Sequence, residues 1–170
     1  SKKLAVYLMQ IIFLTGLIYT FLLVSLPLTL FILGLAISSE LLLLLNTKEK
    51  RQNLRLILYI LLNLNLAGIF WLYSTNYYDV LMHLSWGALI GAVLYRPIKK
   101  ATKQHTILKT ILAVFLIGVI WEVGEFTFDL LFSSSSSIGL MQPSKLDTIK
   151  DLILDVVGAM IGTNMASSTH

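Results

Sequence analysis

The chain has 170 residues, 56% of them hydrophobic and 13% charged, with a mean hydropathy of +0.82. Soluble domains carry about 25% charged residues, so the composition excludes an ordinary soluble domain and marks an integral membrane protein. The absence of cysteine excludes a disulfide framework and a thiolate metal site, and the formal net charge of +4 lies in the loops between apolar runs, where it reports topology rather than nucleic-acid binding.

The first apolar run, from Leu4 to Leu45, is about twice the length that one span of roughly 20 residues requires. It is too long for a signal-peptide core and lacks a small-x-small cleavage site, so it reads as retained; the start at Ser1, without Met, reads as a trimmed N-terminus. Ser25-Leu26-Pro27 divides the run, because proline cannot continue a helix interior and restricts the residue before it. Helix 1 is therefore predicted at 4–24 and helix 2 at 27–45. Asn46 to Asn53 reads as a charged loop. Helix 3 is predicted at 54–73, with Phe70, Trp71 and Tyr73 as interfacial anchors. Ser74 to Tyr78 reads as a turn, followed by helix 4 at 79–95 and a basic loop from Arg96 to Lys109 around Pro97. Helix 5 is predicted at 110–132. The connection from Ser133 to Ser144, with five consecutive serines, reads as a flexible loop, and helix 6 is predicted at 147–165.

The fold class predicted is thus all-α: a polytopic membrane helix bundle of six spans, one integral membrane domain over residues 1–170. Six spans put both termini on one side, together with 11 of the 13 basic residues; only Lys145 and Lys150 fall opposite. The positive-inside rule makes that side cytoplasmic and the location the plasma or inner membrane. The turn before Asp79 and the serine loop then face outward.

Against this apolar background the acids stand out. Glu122, Glu125 and Asp129 share a helix face within an arc of about 60° at 100° per residue. Asp79 and His83 are four apart, as are Asp147, Asp151 and Asp155, so each set also lines one face. At about 1.5 Å per residue, Asp79 and Asp147 sit at the outer boundary and His83, Asp129 and Asp151 one turn in, with Glu125, Asp155 and Glu122 deeper. The three faces turned together make one acidic pocket open to the outside.

Intramembrane carboxylates are costly and by default functional. Several of them in a low dielectric cannot all ionise unless cations share the site, and helices 4 to 6 offer only His83 and Lys150 nearby. The missing charge is then supplied by metal ions or bound protons. One imidazole among hard oxygens suits Mg²⁺, Mn²⁺, Fe²⁺ or Zn²⁺. The predicted metal ligands are Asp79, His83, Glu122, Glu125, Asp151 and Asp155. Glu122-x-x-Glu125 partly matches the Glu-x-x-His pairs of di-metal bundles.

Plainer roles stand beside these. Asp79 and Asp147 fall where an N-cap carboxylate would serve, Asp129 could snorkel to the interface, and His83 and the deeper acids could form structural hydrogen bonds. Glu40 is placed to pair with a basic residue at the inner end, and Asn63 and Asn65 to join helices by hydrogen bonds. Gly87-x-x-x-Gly91 and Gly158-x-x-x-Gly162 fit close helix packing. His105 is expected to be solvated.

Tyr78-Asp79-x-x-x-His83, Trp121-Glu122-x-x-Glu125 and Asp147-x-x-x-Asp151-x-x-x-Asp155-x-x-Gly158-Ala159-x-x-Gly162 resemble the VanZ-like membrane proteins, and more closely the YjdF-type inner-membrane family, over about residues 77–162. Glu125 stands where the VanZ-like pattern has Gln and Asp155 where it has Asn. The resemblance implies a multi-helix membrane protein with a shared acidic site and names no substrate.

Three functions fit the acids. One is a metal-dependent hydrolase or transferase acting on a lipid or lipid-linked head group, with Glu122 or Glu125 as general base and Lys150, with Asp147, binding substrate. The second is a proton- or cation-coupled transporter. The third is a non-catalytic membrane protein whose polar site is structural or binds a partner. Membrane lipids are the expected partners, and nucleic acid is not.

Overall fold

A computed structural model describes residues 2–72, 76–102, 104–132, 141 and 144–168, and every regular element among them is helical. The six helices are α1 (Lys2–Leu23), α2 (Leu26–Leu43), α3 (Lys48–Ala67), α4 (Asn76–Thr102), α5 (Thr106–Phe132) and α6 (Lys145–Ser168). A π-helical turn, Gly68–Leu72, continues α3. The chain forms two compact units, Ser1–Thr75 and Asn76–His170.

In the first unit the predicted break falls at Ser25. Its backbone is extended, its hydroxyl accepts from the Leu28 N–H at 3.2 Å, and Pro27 follows in the first turn of α2. A serine N-cap followed by an early proline satisfies one amide and lacks another that would be orphaned. Helix α1 is joined to α3 by Asn63, whose amide donates to the Met9 carbonyl at 3.0 Å and to Tyr59 O at 2.7 Å. Lys2 donates to Asn53 Oδ1 at 3.1 Å, and the Phe13 and Tyr59 rings meet edge to face. Helix α2 is tied to α3 by Glu40, which takes a bidentate grip from Arg55 at 2.7–3.0 Å.

Two expected loops turn out to be helix. Lys48 to Asn53 form the first turns of α3, since Lys, Glu, Gln and Arg propagate helix well and only their charge sets them apart from the span. Arg51 reaches back to the Leu44 and Asn46 carbonyls at 3.3 and 3.0 Å and satisfies the end of α2. Helix α4 likewise runs through Pro97 to Thr102. Near a helix end the missing proline N–H costs little support beyond it, Lys99 and Lys100 in the last turn complement the helix dipole, and Lys99 Nζ lies over the Tyr95 ring at 5.6 Å from its centroid. The reversal into α5 is at His105, which is exposed and left-handed at φ 52°. Tyr73 and all but Met141 and Ser144 of the Ser133–Ser144 connection lie outside the described residues, as do Ser74 and Thr75 of the turn; Tyr77 and Tyr78 are already in α4.

The second unit is built on the pairing of α4 with α6. A Cβ on Gly158 would collide with the Leu84 carbonyl, one on Gly162 with the Ala88 carbonyl, and one on Gly87 with the backbone of Asp155; at Gly91 it would lie 2.8 Å from Ala159 O. The two backbones therefore touch. Gly158 meets residue 84 and Gly162 meets residue 88, so the helices run parallel with their N-terminal turns at the same end. Helix α6 buries Asp151, Asp155, Gly158, Ala159, Gly162, Thr163 and Ala166, a single stripe at intervals of three and four. Its other face is apolar and open, with Leu146 78% and Ile153 58% exposed.

Five helices, α1 to α5, are long and apolar enough to cross a membrane, and large apolar side chains cover their outward faces. The protein is an all-helical, multi-pass membrane protein. Helix α6 falls short by average composition because its buried stripe is spent on carboxylates and small residues; the expectation of a sixth span rests on its apolar outer face.

Adding a single methyl at the α4–α6 contact tests this packing. Gly162→Ala is expected to lose about 1–3 kcal/mol by overpacking, read as a lower melting temperature in detergent. Gly34→Ala, where a Cβ meets nothing within 4 Å, is expected to be neutral or to gain up to about 1 kcal/mol of helix propensity. Equal melting temperatures for the two variants would contradict the contact.

Candidate functional site

The parallel α4–α6 pair sets two columns of polar side chains at one height. Asp79 and His83 are one turn apart on α4; Asp147, Lys150, Asp151 and Asp155 follow on α6. Helix α4 begins at Asn76 and α6 at Lys145, so Asp79 and Asp147 lie inside the first turns and neither is an N-cap. The cap of α6 is Ser144, whose Oγ accepts from the Asp147 N–H at 3.2 Å. Both acids still gain from the helix N-terminal dipoles.

Lys150 binds three carboxylates at once. Its Nζ lies 2.9 Å from Asp79 Oδ2, 2.6 Å from Asp147 Oδ1 and 3.3 Å from Asp151 Oδ1. Asp79 and Asp151 turn their other oxygens toward His83, whose Nε2 is 3.7 Å from Asp79 Oδ1 and 3.9 Å from Asp151 Oδ2. Across the ring, His83 Nδ1 is 3.2 Å from Asp155 Oδ1. A carboxylate oxygen only accepts, so this bond puts the proton of a neutral imidazole on Nδ1 and leaves the Nε2 lone pair facing Asp79 and Asp151. One oxygen each from Asp79 and Asp151 and a ring nitrogen of His83 lie within 4.8 Å of one another, a span that a single cation can bridge.

Helix α5 closes the cluster. Its buried stripe includes Thr110, Val114, Gly118, Glu122 and Asp129, the face on which the three acids were expected. A Cβ on Gly118 would lie 2.6 Å from Asp155 Oδ2, so the glycine makes room for the carboxylate that orients His83 in its present rotamer. Glu122 is 4% exposed. Glu125 is in electrostatic reach of Glu122, His83 and Asp151 and takes a hydrogen bond from the Trp121 side chain. Asp129 stands apart, accepting the Met141 N–H at 3.0 Å and so holding Met141 to the end of α5.

Of the predicted residues, Asp79, His83, Asp147, Lys150, Asp151 and Asp155 thus meet in direct contact, with Glu122 and Glu125 beside them on α5. Sequence reading missed Gly118 and named Trp121 only as part of the Trp121-Glu122-x-x-Glu125 motif, without a role. Both were detectable from helical spacing: Gly118 is a small residue one turn before Glu122, and Trp121 lies one turn before Glu125 on α5.

The threefold ion pair makes Lys150 the residue on which the acids rely. Lys150→Met removes their shared cation and is expected to lower the melting temperature; since Lys150 is 40% exposed, solvent screening limits the loss to about 1–2 kcal/mol. Adding Asp147→Asn should recover part of it, because one fewer carboxylate is left unmatched, and a strictly additive double variant would contradict the shared pairing.

No curated protein and no solved structure matches the chain. The family described as Predicted membrane protein (DUF2238) matches residues 4–170. With nearly the whole chain covered and its helices apolar enough to span a bilayer, the protein belongs to the DUF2238 family of membrane proteins.

Proposed function

We propose that Asp79, His83 and Asp151 bind a divalent metal ion of the Mg²⁺, Mn²⁺, Fe²⁺ or Zn²⁺ type, and that the protein is a metal-dependent hydrolase or transferase acting on a lipid or lipid-linked head group at the outer face of the membrane. The observation that carries this reading is the two-sided anchoring of His83. Its Nδ1 bonds Asp155 at 3.2 Å while its Nε2 faces two carboxylates, the carboxylate–histidine arrangement that fixes the tautomer of metal-binding imidazoles. Lys150 holds the far oxygens of the same two carboxylates and so steers the near ones toward Nε2.

Bound there, the ion would polarise a phosphoryl or acyl oxygen or activate water. Glu125, within electrostatic reach of His83 and Asp151, is the favoured general base, with Glu122 behind it. Lys150 and Asp147, in the first two turns of α6, lie where a head group would enter; Lys150 could turn one of its donors to a phosphate.

The order of Asp79, His83, Glu122 and Asp155 along the chain, which resembles the VanZ-like and YjdF-type pattern, supports a shared acidic site. Proton- or cation-coupled transport is less well supported, because the backbones of α4 and α6 touch at Gly91–Ala159 and Ala88–Gly162, deeper than the cluster, and leave no path between those two helices.

Elemental analysis of the protein purified in detergent tests the metal. One equivalent of a divalent metal is expected in the wild type, loss in His83→Ala and Asp151→Asn, and a roughly 10–100-fold weaker affinity in Asp155→Asn, as for other orienting partners. Glu125→Gln is expected to keep the metal and lose turnover of phospholipid or lipid-phosphate substrates. A wild type that takes up no metal on titration with Mg²⁺, Mn²⁺, Fe²⁺ and Zn²⁺ would overturn the proposal.

A further inference from the structure

A second feature lies in the unit formed by α1 to α3. A groove of about 520 Å³ opens between α1 and α2 with Tyr59 of α3 at its floor, within the range of roughly 300–1,000 Å³ typical of small-molecule sites. It exists because α1 and α2 are each fastened to α3. Asn63 draws α1 onto α3, and the Arg55–Glu40 pair holds α2. On the α2 side the groove is lined between Leu33 and Leu44, eleven helical steps or about 16 Å. That is close to the roughly 15 Å depth of one hydrocarbon leaflet.

The mouth is basic and the interior apolar. Lys2 is fastened to Asn53 at the start of α3, which brings the N-terminal turns of α1 and α3 to the same end. Arg51 hydrogen-bonds the carbonyl of Leu44, the groove residue nearest that end. Lys2 and Lys3 open α1 and Lys48, Lys50 and Arg51 open α3, so these basic residues belong to the helix turns at that end, with Glu49 as the acid among them, because Glu40 is matched by Arg55. Gln10, Glu40 and Tyr59 add a polar patch inside the groove, Glu40 one helical turn in from Leu44.

We propose that this groove binds one anionic phospholipid of the leaflet at that end, with its phosphate among Lys2, Lys48 and Arg51 and one acyl chain lying between α1 and α2. Charge complementarity selects the occupant. A basic cluster beside a membrane span attracts anionic lipid, and the groove adds a seat that a bare basic surface lacks. The site is independent of the acidic cluster on α4 to α6 and would stand if the metal reading failed.

Native mass spectrometry of the whole protein, titrated with phosphatidylglycerol and with phosphatidylcholine of the same chains, provides the test. The wild type is expected to retain one phosphatidylglycerol at least tenfold more tightly than phosphatidylcholine. Lys2→Gln with Lys48→Gln should cut that preference about tenfold. Ile37→Trp or Leu14→Trp, which fill the groove from either wall at residues half-exposed in the structure, should abolish the bound lipid at unchanged melting temperature. Equal retention of the two lipids by the wild type would overturn the proposal. Phosphatidylglycerol still retained by both tryptophan variants would reduce it to surface attraction alone and equally overturn it.

Discussion

The direct backbone contact between α4 and α6 is the constraint on which the polar chemistry of this protein depends. Leu84, Gly87, Ala88 and Gly91 on one helix and Asp155, Gly158, Ala159 and Gly162 on the other bring the two helix backbones into direct contact. Small residues serve this purpose in membranes because lipid gives helices no hydrophobic reason to associate, so packing at close range must supply the attraction. The contact also runs parallel, which aligns the first turns of both helices. Without it Asp79 and Lys150 could not meet at 2.9 Å, nor His83 and Asp155 at 3.2 Å.

The same geometry accounts for how so many carboxylates are tolerated. Lys150 neutralises part of the charge of Asp79, Asp147 and Asp151, and the N-terminal dipoles of α4 and α6 favour negative charge in their opening turns. These two sources do not balance four aspartates with Glu122 and Glu125 beside them. Buried charge without compensation is among the largest penalties in a protein interior, and protons held on His83 or the carboxylates, or a cation among Asp79, Asp151 and His83, would relieve it. Gly118 shows how tightly the space is shaped, since α5 gives up a side chain where Asp155 lies.

The unit formed by α1 to α3 handles charge in the opposite way. Its intramembrane acid, Glu40, is met by Arg55 in a bidentate pair, a geometry that satisfies both oxygens and leaves no deficit. What remains is positive and lies at the end of the helices rather than within them. One unit thus gathers negative charge beneath one surface, and the other presents basic residues beside an apolar groove.

The amino-acid sequence by itself determined the class of the protein and the identity of the candidate site. Long apolar runs make helices in a bilayer because the backbone must satisfy its own hydrogen bonds there, and Ser25-Leu26-Pro27 divides the first run through local capping chemistry alone. The helical spacing of Asp79 with His83, and of Asp147, Asp151 and Asp155, marked out side chains that do meet. Helix ends were less legible: the charged turn at Lys48 and the segment through Pro97 looked like loops because their polarity marks where the membrane ends, while the helix continues past it. Tertiary structure alone decided that the two glycine motifs face each other, that Asp79 and Asp147 are ion-paired to Lys150 rather than capping, and that Asp129, on the same buried face as Glu122, accepts from Met141. It also decided that Gly118 makes room for Asp155 and that Arg55 is the partner of Glu40. Periodicity specifies which residues share a face, but which faces meet, and at what height, depends on contacts between helices distant in the chain.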